Sequence, residues 1–192
     1  MPTVRRAVVH GAMCLALAVS AACSDDADDD DETPTPPEAT GASSFALESP
    51  AFADGGDIPD EFTCDGAGDS PPLTWSGLPD GTVDLALTVV DPDAPGGNFV
   101  HWIASGIDPA SGALAEDPSV ADIRQAENAT GSTGYLPPCP PDDDDPHHYV
   151  FTLYALDQRL VVAGGLGLDG FADAVADSTL GTAELTGRYA RS

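Results

Sequence analysis

The stretch Leu85-Ala86-Leu87-Thr88-Val89-Val90-Asp91-Pro92-Asp93-Ala94-Pro95 decides how the rest of this chain is read. Its first six residues are apolar or β-branched, the pattern of a strand buried in a sheet. The strand runs into a rigid acidic turn, in which Pro92 and Pro95 fix φ on either side of Asp93 and remove two backbone donors. Each proline also drives the residue before it toward extended conformations. Such a loop holds a carboxylate in one place, as a binding or catalytic site requires. After Gly96-Gly97 a new strand begins near Phe99 and carries His101-Trp102 close to its start. Taken singly, these residues are a stiff turn and a histidine packed beside a tryptophan.

A second cluster of the same chemistry lies far along the chain. Gly134-Tyr135-Leu136-Pro137-Pro138-Cys139-Pro140-Pro141 is again a proline-stiffened loop, and Pro146-His147-His148-Tyr149 leads into the run Val150 to Leu156. That run has little polar alternation and predicts a central strand covered on both faces. Between loop and strand stand four carboxylates, Asp142 to Asp145. The run reads as a solvated loop or, with one of the two histidines, as a metal site. Adjacent histidines on a strand point to opposite faces, so only one of them can join.

Outward from these two clusters, Phe45 to Leu47 predicts a short first strand. Asp54-Gly55-Gly56-Asp57 is a hairpin signal, Leu73 to Trp75 begins a strand, and Leu78-Pro79-Asp80-Gly81 is a turn. Val83 to Val90 and Phe99 to Ile107 are long strands, and Asp108 to Gly131 reads as irregular. Phe171, Ala174, Val175 and Thr179 stand at helical spacing within 170–180, and Glu184 to Tyr189 closes the chain as a last strand. Many short strands and one late helix predict a mainly β sandwich.

The N-terminal part is not fold. Arg5-Arg6 precede an apolar, small-residue segment ending Ser20-Ala21-Ala22-Cys23, so residues 1–22 read as a secretory signal peptide and Cys23 as a lipid-attachment cysteine. Residues 23–43 hold Asp25, Asp26, Asp28 to Asp31, Glu32 and a Thr/Pro run, an acidic, self-repelling composition that predicts a disordered tether. Residues 44–192 are then one domain. The expected location is the cell envelope, outside the cytoplasm, with the membrane reached through the lipid anchor only.

The whole chain has 6 Lys and Arg against 33 Asp and Glu. Without Arg5 and Arg6 the balance is 4 − 33 = −29. A surface this acidic repels nucleic acid, whose binding rests on basic residues neutralising phosphates. Cys64 and Cys139 remain in the domain, and an even pair in an exported chain predicts a disulfide, with two buried thiols as the alternative.

Read together and in order, Thr63-Cys64-Asp65-Gly66, Ser70-Pro71-Pro72-Leu73-Thr74-Trp75, the Asp91 to Pro95 loop, His101-Trp102, Gly134-Tyr135 with Pro138 to Pro141, and His147 to Asp157 resemble the phosphatidylethanolamine-binding protein family, in its bacterial Raf-kinase-inhibitor-like branch. The resemblance implies a large central antiparallel sheet, a smaller second sheet and short helices near the C-terminus. It strengthens the Cys64–Cys139 pairing. It implies a ligand-binding pocket walled by Asp91, Pro92, His101, Gly134, Tyr135, Pro138, His147 and Tyr149, which takes small phosphate-like anions. The chain departs from the family in three places: Pro137 stands where glycine is usual, His148 replaces the usual arginine, and the Asp142 to Asp145 run is inserted before the pocket histidine. Each weakens the case for an anion, so binding is expected to be weak. No cofactor is implied. The expected function is that of an extracytoplasmic binding lipoprotein, with an inhibitor of envelope enzymes as the alternative. An enzyme fits less well, because no Gly-x-Ser-x-Gly nucleophile signature is present.

Overall fold

The computed structural model describes residues 44–118, 122–161 and 165–191, so the signal segment, Cys23 and the tether lie outside the described residues. Nine strands and one helix make up the described fold. In chain order they are β1 (Ala46–Glu48), β2 (Gly56–Asp57), β3 (Leu73–Ser76), β4 (Asp84–Asp91), β5 (Phe99–Ile107), β6 (Ala113–Leu114), β7 (Arg124–Gln125), β8 (His147–Leu156), α1 (Leu168–Val175) and β9 (Thr179–Tyr189). A six-stranded sheet runs β2-β9-β8-β4-β5-β7, and a three-stranded sheet runs β1-β3-β6. The fold is thus mainly β, as the strand count predicts. All described pairings are antiparallel except β2 with β9.

The main core lies between the sheets. Leu47, Leu73 and Trp75 from the small sheet meet Leu85, Leu87 and Val89 of β4, Phe151 and Leu153 of β8, and Leu185 of β9. On the other face of the large sheet Ala86, Ile103 and Leu156 are covered by Phe171 and Val175 of α1. The strand buried on both faces is therefore β4, with seven of its eight residues buried. The expectation of a doubly covered β8 needs correcting. Tyr149, Phe151, Leu153 and Ala155 are buried, but His148 is exposed, and Val150, Thr152 and Tyr154 are only half-covered. Covering that face falls to the short α1.

Three other expectations change. The Asp54 to Asp57 turn does not lead into a hairpin. Gly56 donates back to the Ala53 carbonyl, and β2 then pairs in parallel with β9. The approach is close, because a Cβ on Gly187 of β9 would stand 2.5 Å from Ile58 and 3.0 Å from Phe52. The helix ends at Val175, and Thr179 already opens β9. The segment expected to be irregular contains a 3-10 turn at Pro109–Ser111 and the short edge strands β6 and β7.

Candidate functional site

Three strand ends meet at one end of the large sheet. β4 finishes on Asp91, β5 opens with Phe99 and His101, and β8 opens with His147 and Tyr149. On β4 and β5 the register pairs Val89 with Trp102 but Val90 with Val100. His101 is the extra residue of a β-bulge, a device that re-aims a side chain out of the regular alternation. His147 and Tyr149 lie two apart on β8 and so share a face.

Asp91 is the hub. It is buried, and its Oδ2 accepts from His147 Nδ1 at 2.8 Å. Its Oδ1 accepts the backbone N–H of Asp93 at 2.8 Å, so the proline-stiffened loop is folded around the carboxylate. His147 is therefore oriented, with Nε2 left for other partners; Asp144 Oδ2 stands 3.8 Å from that atom. His148 points the other way, where its ring Nδ1 and its backbone N–H both donate to Asp93 Oδ2 at 2.8 Å. These two bonds hold the Asp93 carboxyl below the usual carboxylate range.

His101 donates from Nδ1 to the Leu136 carbonyl at 2.8 Å, since that oxygen can only accept. This fixes the tautomer and leaves Nε2 as the second nitrogen. Leu136 returns its own N–H to the His101 carbonyl at 2.8 Å. Burial pushes the His101 pKa down, and nearby His147 adds to that. The Leu136 carbonyl and Asp91 oppose it. The His101 ring meets Tyr149 edge-on at 5.1 Å and Phe99 at 5.2 Å.

Tyr149 is fully buried, and its hydroxyl has no hydrogen-bond partner among the described residues. Burial, with Asp91 nearby, raises its pKa, so the phenol stays protonated and able to donate.

These side chains enclose a cavity of about 240 Å³. Asp91, His101, His147 and Tyr149 line it. Pro92, Gly134, Tyr135 and Pro138 do not. Pro92 is exposed on the outer side of its loop. Tyr135 turns away to donate to the Phe62 carbonyl at 3.0 Å and to pack on Trp102. Pro138 is buried and accepts the Cys64 N–H at 3.0 Å. The other walls come from Ala94, Pro95, Phe99, Leu136, Pro137 and the Cys139 to Pro141 segment. Apart from the ring of Phe99 and the sulfur of Cys139, they carry no chemical signal that marks a site in a sequence. Cys64 and Cys139 form a disulfide with Cα atoms 5.4 Å apart, which ties this proline wall to the loop before β3.

The electrostatics at the mouth differ from the sequence expectation. Arg191 Nη1 meets Asp142 Oδ1 at 2.7 Å, and Asp144 faces His147. The acidic run is thus partly matched by positive or protonatable groups. Among the described residues, no group of three or more His, Cys, Asp and Glu side chains is arranged to hold a metal ion, so the metal reading of Asp142 to Asp145 gains no support.

Comparison with known proteins identifies the family. Residues 48–190 match the family profile described as "Phosphatidylethanolamine-binding protein". A Mycobacterium tuberculosis protein named "Putative lipoprotein LppC" is 45% identical over 151 residues, covering 79% of this chain and 75% of that protein. A crystal structure of a PEBP homologue from Chlamydia trachomatis superposes with a TM-score of 0.72 at 38% identity, covering 77% of this chain and 98% of the other. Escherichia coli YbcL, titled a new member of the mammalian PEBP family, gives 0.69 at 30% identity, covering 77% and 99%.

Proposed function

Because this chain belongs to the phosphatidylethanolamine-binding protein family, we propose that it is an extracytoplasmic, lipid-anchored protein that binds a small phosphate-type oxyanion in the Asp91–His101–His147 cavity. The observation that carries the reading is the Tyr149 hydroxyl, buried in the cavity wall without a partner. An unpaired buried hydroxyl costs on the order of 1–3 kcal/mol, and a bound oxygen would relieve that cost. Tyr149 donates one hydrogen bond to the anion, His101 donates from Nε2 when protonated, and His147 lines the same cavity. Asp91 holds the His147 ring in place at the cavity through its bond to Nδ1.

Binding is weak at neutral pH, because among the described residues no Lys or Arg lines the cavity and burial keeps His101 neutral there. Retention rather than turnover fits the site: the Cys139 sulfur in the wall is held in the disulfide and offers no thiol. The lipoprotein name of the mycobacterial relative supports export and anchoring through Cys23.

Calorimetric titration of sulfate, which does not titrate in the working range, tests the pocket. Wild type is expected to bind more tightly at acidic than at neutral pH. Tyr149→Phe should weaken binding about three- to tenfold, the equivalent of one hydrogen bond, and His147→Ala should weaken it as well. Equal binding by all three proteins at both pH values would overturn the assignment.

A further inference from the structure

Gly134 and Tyr135 are not idle. They line a second cavity of about 220 Å³ with Ser70, Trp102, Asp117 and Gln125 among its other walls. Ser70 lies in the loop that precedes β3 and is 2% exposed, and its Oγ has no hydrogen-bond partner among the described residues. A buried hydroxyl of this kind is the exception in native proteins and calls for an explanation. The backbone around it is specifically set. The Ser70 carbonyl accepts the Asp117 N–H at 3.3 Å, and Asp117 is a non-glycine residue at φ +42°. Gly134 stands at φ +108°, where a Cβ would come within 3.3 Å of Gln125 Oε1.

The chemistry of the walls narrows the ligand. Gln125 Oε1 accepts from Trp102 Nε1 at 2.7 Å, so the amide presents its NH₂ side as donor. Ser70 can donate and accept, and the exposed Asp117 carboxylate can only accept. Trp102 and Tyr135 add aromatic edges. Among the described residues no Lys, Arg or His lines the cavity, and the one formal charge is negative, so an oxyanion is repelled. An ammonium, which only donates, would satisfy Asp117 but oppose the Gln125 NH₂. Hydroxyl groups both donate and accept and suit all three. The volume is smaller than the roughly 300–1,000 Å³ of a drug-sized pocket. We propose that this cavity is a second binding site, separate from the histidine cavity, for a small neutral polyol or monosaccharide.

Saturation-transfer NMR on the full chain with glycerol, myo-inositol and glucose as probes tests this. At least one probe should show transfer that persists under excess sulfate. Ser70→Ala and Asp117→Asn should each weaken it about three- to tenfold, the loss of one hydrogen bond. Ser70→Ala should also keep or raise the melting temperature, because it removes an unpaired buried hydroxyl. The proposal fails if none of the probes shows transfer, if transfer is indifferent to both substitutions, or if sulfate abolishes it. A lower melting temperature for Ser70→Ala also overturns it, because the hydroxyl would then serve a structural water.

Discussion

At the scale of single residues, the account turns on partners that sequence distance hides. Asp91 and His147 are 56 positions apart, and only the antiparallel β4–β8 pairing brings them to 2.8 Å. Their residue types and stiff loops mark them as candidates; the hydrogen bond itself is visible only in the fold. The loop from Gly134 to Pro141 shows the opposite failure. It was legible as one feature, but Leu136 and Pro137 serve the histidine cavity while Gly134 and Tyr135 serve the second one. Proline content says that a loop is stiff and not which way each residue faces.

His101 gives a prediction at this scale. Burial holds its pKa below 6.5 in the fold, while the unfolded imidazole protonates near 6.5. Below that pH the unfolded chain binds more protons than the folded one, so stability falls as pH drops, until folded His101 protonates too. Melting temperature measured from neutral to mildly acidic pH should show this decline. His101→Asn, which cannot titrate, should show a shallower one; an unchanged slope would contradict the environment assigned to His101.

At the scale of elements, the strong apolar runs of β4, β5 and β8 were legible because periodicity and length agree. Their layering was not. β4 lies between β8 and β5 and is covered by both cores, whereas the similarly apolar β8 has one face only partly covered. Helical spacing continued by chance from Phe171 through Val175 to Thr179, but the chain leaves the helix after Val175, and the Thr179 hydroxyl donates to the Val175 carbonyl. Edge strands of two residues, such as β6 and β7, carry too few positions for any period.

The Cys64–Cys139 bridge spans 75 positions and closes the proline wall of the cavity. Chain-entropy arguments put its contribution at up to about 4–5 kcal/mol. Cys139→Ser should therefore lower the denaturation midpoint strongly and weaken sulfate binding as the wall loosens. Alkylation followed by intact-mass measurement should find no reactive Cys64 or Cys139 thiol until reductant is added. Reactive thiols at these positions in untreated protein would contradict the bridge.

At the scale of the molecule, a net charge of −27 makes the placement of the few cations informative. The domain's four arginines are concentrated at two places. Arg188 and Arg191 lie near the C-terminus against Asp57 and Asp142. Arg124 and Arg159 border a cavity of about 210 Å³ beside buried Asp84. Asp84 starts β4 and Asp91 ends it, so this arginine pair marks the opposite end of β4 from the histidine cavity.

Anchoring also belongs to this scale. Cys23→Ala should move the protein from the membrane fraction to the soluble fraction on cell fractionation, and an unchanged partition would refute attachment at that residue.

The arginine pair is the natural rival for any anion, which makes the location of a bound oxyanion the most direct test of the central claim. A crystal grown at acidic pH with selenate and measured at the selenium edge would report it. The account predicts an anomalous peak within hydrogen-bond distance of the Tyr149 hydroxyl and the Nε2 atoms of His101 and His147. Selenate seated instead between Arg124 and Arg159, with the histidine cavity empty of it, would contradict the account.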